Sequence, residues 1–380
     1  MIAVIADDLT GAAELGGIGL SYGLKVRISL DVKVASEIDL LVIATDTRSK
    51  IESTAVNDMI EVTKQVAKLN PEVIFKKVDS VLRGYIIPEI TAQLKILQLD
   101  TALLVSANPA LGRTIENGNY FIDGVPISQT AFAVDPEFSA KSSDVLKLLK
   151  ADKFVYVKKY SDYRPEKGVI VGEVKSEGDL NEWARIDHSD VLLAGASGFF
   201  RAILETAGFA QKVHQPSGPV LTGPMLYVLG SAYDKSTALV NKIVKDGGPV
   251  CYLNESMIEG QYDDKEFERC SAEITNLIRR NGKAIIAINP LKAVSVSALE
   301  IRKKMAQLVR RVFDQVTIKE LIIEGGSTAA AILKSLEIET LCPTNEYATG
   351  VIRSKVIGRE NLYITLKPGS YNWPNQVLTF

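Results

Sequence analysis

Short apolar runs, each closed by a polar or glycine turn and followed by an amphipathic stretch, recur along the chain. In the first half, apolar runs at 2–6, 40–44, 73–78, 102–106, 169–174 and 191–194 have strand length. Stretches at 11–22, 53–69, 89–97 and 196–206 have helical spacing, as with Val56, Ile60, Val66 and Leu69. Strands without polar alternation, separated by helices, predict a parallel sheet covered on both faces. One segment breaks the rhythm: Asn117-Gly118 and Asp123-Gly124 flank Asn-Tyr-Phe-Ile, the signal of a hairpin.

Residues 215–224 hold three prolines and two glycines, a density that punctuates rather than builds structure. Beyond them the rhythm restarts. Strands are expected at 225–229, 250–253, 284–288, 320–323 and 362–367, with helices at 234–244, 266–280, 298–316 and 329–336. The expectation is an α/β protein of two domains, each a mostly parallel sheet flanked by helices, spanning residues 1–218 and 219–380. A length of 380 residues agrees, because domains typically run to ~100–200 residues each.

Composition narrows the chemistry. Lys plus Arg number 44 against 46 Asp plus Glu, so no overall charge marks the chain for nucleic acid or an anionic membrane. Two histidines, His188 and His214, cannot build a His-rich metal site, and each is expected to be a surface or linker residue. Three cysteines without a CxxC pair read as reduced thiols, buried as small hydrophobes. The run Arg302-Lys303-Lys304 and the pair Arg310-Arg311 are expected on the solvated face of a long helix. The first residues lack the basic region of a signal peptide, and no segment gives 18 apolar residues without charge. A cytoplasmic location is therefore expected.

In open α/β sheets, ligands bind beyond the carboxyl ends of the strands. In the first half those positions carry Asp7 and Asp8, then Asp46 and Arg48, then Lys77, Asp79, Ser80 and Arg83, then Ser106 and Asn108. Four polar strand ends in succession predict a polar cleft suited to a carboxylate or phosphate ligand. Asp7 or Asp8 is the candidate general base, although Asp8 could equally be a helix N-cap. In the second half, Gly230-Ser231, Gly325-Gly326-Ser327-Thr328 and Gly369-Ser370 each follow a strand, and two of them precede helices. Glycine lets backbone approach a phosphate, and helix N-termini offer N–H groups, so these turns predict an anion or nucleotide site. The P-loop pattern is absent. The small residues of 11–19 lie within the first helix, where they suit close packing on the sheet better than a dinucleotide fingerprint.

Several strings together resemble the four-carbon acid sugar kinase family: Ala6-Asp-Asp-Leu-Thr-Gly-Ala12, Lys76-Lys-Val-Asp-Ser-Val-Leu-Arg-Gly84 and Asn108-Pro-Ala-Leu-Gly-Arg-Thr. So do Asn117-Gly, Gly124-Val-Pro, Leu229-Gly-Ser231, Gly325-Gly-Ser-Thr-Ala329 and Lys367-Pro-Gly-Ser. They follow the family's order over residues 6–370. The resemblance implies an N-terminal acid-sugar-binding domain, a C-terminal nucleotide-binding domain, and phosphorylation of a hydroxyl on threonate, erythronate or an oxo-tetronate with ATP and Mg²⁺. Carried onto this chain, it implies acid contacts from Asp7 or Asp8, Arg48, and Lys77, Val78, Asp79 and Ser80. Asn108 and Arg113 join them as substrate residues, with Asp8, Asp7 and Arg83 as catalytic ones. Nucleotide contacts would come from Ser231, Gly325, Gly326, Ser327, Thr328, Gly350 and Gly369. Ser327 replaces an Asp common in the family, and no protein metal ligand is assigned. Arg48 and Lys77 would hold the carboxylate, while Arg83 or Arg113 would offset charge on the transferring group. Closure about the proline-rich linker would exclude water. A homodimer is allowed. A non-catalytic sugar-acid sensor and a nicotinamide oxidoreductase are the alternatives, the latter lacking a well-placed glycine fingerprint.

Overall fold

The computed structural model describes all residues except 33–36, 136, 152, 213–217, 231–233, 254–263, 289–295 and 379–380. It separates into two compact units, Met1–Val26 with Leu30–His214, and Arg27–Ser29 with Gln215–Phe380. Both are α/β.

In the first unit, seven parallel strands form the sheet. In chain order these are β1 (Ile2–Ala6), β3 (Leu40–Ala44), β4 (Val73–Lys77), β5 (Thr101–Val105), β9 (Val155–Lys158), β10 (Gly168–Gly172) and β11 (Val191–Gly195). Strand β2 is Val26–Ser29. Their order in the sheet is β3-β1-β4-β11-β5-β10-β9. The apolar runs are buried on both faces, as continuous rather than alternating hydrophobicity requires: β3 and β5 have no exposed residue. Helices α1 (Leu9–Ser21) and α6 (Ser197–Thr206) contact one another, as do α2 (Glu52–Ala67) and α3 (Ile86–Leu97). Met59 and Val66 of α2 pack on Ala3, Ile5, Leu41 and Ile43, while Phe75 stacks with Phe199 and Phe200 of α6 at ring-centroid distances of 6.2 and 5.2 Å. From β1 the chain moves to β3 on one side, then crosses back to β4 on the other. The carboxyl end of β1 is therefore the topological switch point, where such sheets open a ligand crevice.

Two local features follow from small residues. A Cβ on Gly19 would lie 2.4 Å from Leu40 Cδ2 and 2.9 Å from Val26 Cγ2, so the glycine allows α1 to lie close on the sheet. The expected hairpin is a three-stranded antiparallel meander of β6 (Arg113–Glu116), β7 (Asn119–Ile122) and β8 (Val125–Pro126). Its turns have positive φ at both central residues, Asn117 and Gly118, then Asp123 and Gly124, the geometry that matches strand twist. Short α4 (Val145–Leu148) and α5 (Glu177–Ala184), the latter with a Ser176–Asp179 capping box, complete the unit.

The second unit holds parallel strands β12 (Met225–Leu229), β13 (Val250–Tyr252), β14 (Lys283–Ala287), β15 (Glu320–Glu324) and β18 (Tyr363–Lys367), in the order β13-β14-β12-β15-β18. An antiparallel hairpin, β16 (Thr340–Ala348) and β17 (Val351–Val356), extends it beyond β18. Arg27–Ser29 completes this sheet: Ile28 and Ser29 pair with Leu341 and Thr340. Its helices are α7 (Asp234–Lys245), α8 (Asp264–Asn281), α9 (Ala298–Gln315) and α10 (Gly326–Ser335).

Three expectations are corrected. Arg302 and Lys304 are buried, at 9% and 6% exposure, rather than solvated; Arg302 Nε donates to Ala298 O one turn back on its own helix. Cys342 is partly exposed, whereas Cys251 and Cys270 are buried with their sulfurs 3.5 Å apart. His188 is a packed residue: a ring nitrogen meets Ala184 O, the ring lies edge-on to Phe199, and burial lowers its pKa. His214 lies outside the described residues.

Candidate active site

In the first unit, parallel register puts the strand ends side by side. Ala6 pairs with Ala44 and Lys77, and Gly195 pairs with Lys77 and Val105. The residues after them therefore share one edge. Asp8 caps α1: its carboxylate accepts from Gly11 N (2.9 Å) and from the Thr10 hydroxyl. It is thus both the helix cap and a member of the charged cluster. Any side chain at Gly11 would collide with it, since a Cβ there would lie 2.6 Å from Asp8 Oδ1.

Arg48, presented by the turn after β3, organises the aspartates. Its Nε and Nη2 donate to the two carboxylate oxygens of Asp7 at 2.9 and 2.8 Å, and Nη2 also reaches Asp8 Oδ1 at 3.1 Å. Its Nη1 lies 3.4 Å from Asp79 Oδ1. Asp79 in turn receives Arg83 Nε (2.9 Å) and Nη2 (3.1 Å), while Arg83 Nη1 donates to Asp135 at 3.1 Å, with the guanidinium above the Phe132 ring. Lys77, 3% exposed, donates to Val78 O at 2.9 Å and lies 3.7 Å from Glu14.

The charges tune one another. Burial pushes the Asp8 carboxyl up, but Arg48, Lys77 and the hydrogen bonds from Thr10 and Gly11 outweigh it and hold its pKa below the ordinary value. Asp79 is likewise held far down: Arg83 and Arg48 overcome its burial. Burial opposes the Arg48 charge, yet Asp7, Asp8 and Asp79 raise its pKa well above normal. These groups stay ionised across the neutral range.

The edge continues toward β5. Arg113 of β6 donates to the Ser80 hydroxyl and Tyr120 of β7 to Ser80 O, so the meander brings both against the loop after β4. Asn108 Nδ2 donates to Ser197 Oγ at 3.0 Å, and Asn108 N donates to Arg113 O at 2.9 Å. Val78 is buried. The structure thus brings together Asp7, Asp8, Arg48, Lys77, Asp79 and Arg83, with Ser80, Asn108 and Arg113 along the same edge. Behind them lies a pair the strand-end survey missed: Lys76, on the opposite face of β4 from Lys77, sits 2.5 Å from Glu89 of α3, both essentially inaccessible. Burial, with the Asp7 charge adding to it, raises the Glu89 pKa against the pull of Lys76 and Thr47. Adjacent lysines on one strand must face opposite sides, and that spacing was the available signal. Asp135 and Tyr120 gave no comparable sign, because only the folded meander and its following segment carry them here.

In the second unit, Leu229, Glu324 and Lys367 are register partners at the ends of β12, β15 and β18. The turns Gly230, Gly325–Thr328 and Gly369 are therefore neighbours. Gly325 has φ +95° at the N-cap of α10, and Thr328 is buried. A Cβ on Gly230 would lie 2.9 Å from Thr328 Oγ1, so two turns touch. The first turn of α10 presents its backbone N–H groups at this edge. Gly350 lies in the turn of the β16–β17 hairpin, with φ +72°, where a Cβ would lie 2.8 Å from the Tyr371 ring and 3.7 Å from Pro368 Cδ, beside the segment that follows β18. Ser231 lies outside the described residues. Glu324 was also overlooked, being the last residue of an apolar strand. It is fully buried, accepts from the Ser236 hydroxyl and from Trp373 Nε1 (2.8 Å), and lies 3.5 Å from Lys367 Nζ.

Among the described residues no group of three or more His, Cys, Asp and Glu is placed to hold a metal ion. Asp7, Asp8 and Asp79 are drawn together by a guanidinium instead.

Comparisons with known proteins agree with this division. A model of a sugar-binding N-terminal domain matches residues 2–203, and one of a nucleotide-binding C-terminal domain matches residues 226–371. Similar curated proteins include a D-threonate kinase of Salmonella typhimurium, 25% identical over 88% of this chain and 86% of its own. A D-erythronate kinase of Heliobacterium modesticaldum is 26% identical over 88% and 85%, and a 3-oxo-tetronate kinase of Brucella melitensis 24% over 97% and 92%. Among solved structures, a Haemophilus influenzae protein aligns with TM-score 0.70 at 20% identity over 97% of both chains. A Salmonella typhimurium protein aligns with TM-score 0.75 at 17% identity over 98% and 96%. These two share the fold. With its two halves matched in order and its strand-end motifs in place, the chain belongs to the four-carbon acid sugar kinase family.

Proposed function

We propose that this protein transfers the terminal phosphoryl group of ATP to a hydroxyl of a four-carbon sugar acid of the threonate, erythronate or oxo-tetronate type. The observation that carries this is the Asp7–Asp8–Arg48–Asp79–Arg83 cluster at the switch point of the first sheet, beside buried Lys77. A polyhydroxylated anion needs both acceptors for hydroxyls and donors for a carboxylate, and this edge has both.

Phosphoryl transfer depends more on placement and charge neutralisation than on a strong base. That suits Asp8, whose lowered pKa makes it a weak proton acceptor but a dependable orienting anion. Arg48, engaged by three aspartates, fixes the acids. Lys77 and Arg113 are then the cations nearest to hand for the carboxylate, and Arg83 for charge on the transferring group. The glycine turns of the second unit fit a polyphosphate. Mg²⁺ would be carried chiefly by the phosphates, as is usual for a hard cation that keeps most of its waters, and it would neutralise their charge.

The test is a coupled assay of ADP release with D- and L-threonate, D- and L-erythronate and their oxo forms, using the native chain and Asp8→Asn. The expected result is turnover with at least one acid, reduced on the order of 10²–10⁴-fold by Asp8→Asn while ADP binding persists. Tight binding of an acid without ADP release from any of them would replace the kinase reading with that of a sensor. Near-normal turnover by Asp8→Asn would remove Asp8 from its role.

A further inference from the structure

Five polar groups of the second unit converge on one buried ion pair. Glu324 and Lys367 are 0% and 1% exposed and sit side by side in the register of β15 and β18. Glu324 takes the Ser236 hydroxyl from the first turn of α7 and the Trp373 indole N–H from the C-terminal segment. Lys367 Nζ donates to Pro368 O (2.7 Å), Gly369 O (3.3 Å) and Tyr371 O (2.7 Å), and lies 5.2 Å from the Trp373 ring centroid. An ammonium has three donors, and here the chain immediately following wraps around it.

That wrapping has a geometric consequence. In a trans peptide the C=O and N–H point in opposite directions. The carbonyls of Pro368 and Gly369 turn inward to Lys367, so the N–H groups of Gly369 and Ser370 turn away from it. Successive N–H groups facing outward at a strand end form a concavity for an anion. The adjoining turns are tied in: Gly325 N donates to Lys367 O at 2.9 Å, and Gly350 packs on Tyr371. A buried ion pair is weak grounds for stability, since an apolar pair of similar size often serves as well. Its convergent partners indicate another use.

We propose that the Glu324–Lys367 pair is the positioning unit of the nucleotide site, holding the first turn of α7 and the turns after β15 and β18 in the shape that receives a polyphosphate without itself touching it. This rests on the nucleotide reading above and adds residues to it. Burial lowers the Lys367 pKa while Glu324 opposes that shift, so the pair is mutually dependent.

The experiment compares the full-length native chain with Lys367→Met, Glu324→Gln and the double variant Lys367→Met/Glu324→Leu. ADP affinity is measured by calorimetry, and KM is measured for ATP and for the sugar acid. Each variant is expected to weaken ADP binding and raise the ATP KM at least tenfold, with the acid KM within twofold. Trp373, losing its carboxylate or its cation, is expected to shift its fluorescence, against a constant background from Trp183. The double variant removes both charges, so it recovers folding if a single variant loses it. A folded double variant with native ADP affinity would overturn the positioning role. If the native chain itself binds neither ADP nor ATP, the nucleotide reading fails first and this proposal with it.

Discussion

Replacing Arg48 with Met isolates the central charge of the first unit. Its guanidinium makes three hydrogen bonds of 2.8–3.1 Å to Asp7 and Asp8, with a further contact of 3.4 Å to Asp79. Methionine keeps much of the stem's packing but leaves three carboxylates facing one another at low exposure. Removing one partner of a buried ion cluster costs about 3–5 kcal/mol. For a unit of this size that corresponds to on the order of 10 °C in unfolding midpoint. The sign with pH is specific. In the native chain Asp8 and Asp79 have lowered pKa values, so their contribution to stability is present above the ordinary carboxylate pKa and is lost as pH falls. Without Arg48 their mutual repulsion and burial push these pKa values up. The variant should then regain stability relative to the native chain as pH falls from 8 to 5. Urea unfolding at several pH values, followed by circular dichroism, measures both quantities. A loss below about 1 kcal/mol at pH 8, or a loss that does not shrink at pH 5, would refute the reasoning.

Two further perturbations probe the frame around the site. Gly19→Val forces a side chain into space already filled by Leu40 and Val26 and should cost about 1–3 kcal/mol in urea unfolding; an unchanged midpoint would show that α1 can move away from the sheet. Lys76→Met strands Glu89 in the interior and should cost about 3–5 kcal/mol at neutral pH, with most of it recovered in Lys76→Met/Glu89→Leu. Because the folded pKa of Glu89 is raised, its stabilising effect belongs to low pH and is lost as pH rises through that value. The single variant should therefore be least stable in alkali, and the opposite trend would contradict the assignment.

Most of the parallel strands were legible because they are buried on both faces and so read as apolar runs; β1, β3 and β12 fall where the pattern places them, whereas β9, Val-Tyr-Val-Lys with a single buried residue, did not stand out. Strands of mixed character were not. The strand Thr340–Ala348 contains Pro343 and two register irregularities, so its pairing depends on β17 rather than on its own sequence. Val26–Ser29 is only four residues long and finds its partner more than 300 residues away. At the site, residues just beyond strand ends were accessible to inspection, which is why Asp7, Asp8, Arg48 and Asp79 stood out. Glu324 and Glu89 were hidden for the opposite reason: one closes an apolar strand and the other lies within an amphipathic helix, and only a buried cation opposite gives each its meaning.

The strand Arg27–Ser29 sets a constraint on synthesis. Its Ser29 side chain donates to the carbonyl of Glu339, a separation of 310 residues, and its backbone pairs with β16. At ~5–20 residues per second the ribosome takes roughly 15–60 s to deliver that partner. During this interval the edge of β16 is not yet there for the early segment to join. The C-terminal sheet, if produced alone from residue 219 onward, would lack its last strand and expose the backbone of β16 to pairing with other chains. The gene order therefore makes the second sheet the last part of the protein able to finish, and its completion depends on residues that left the ribosome first.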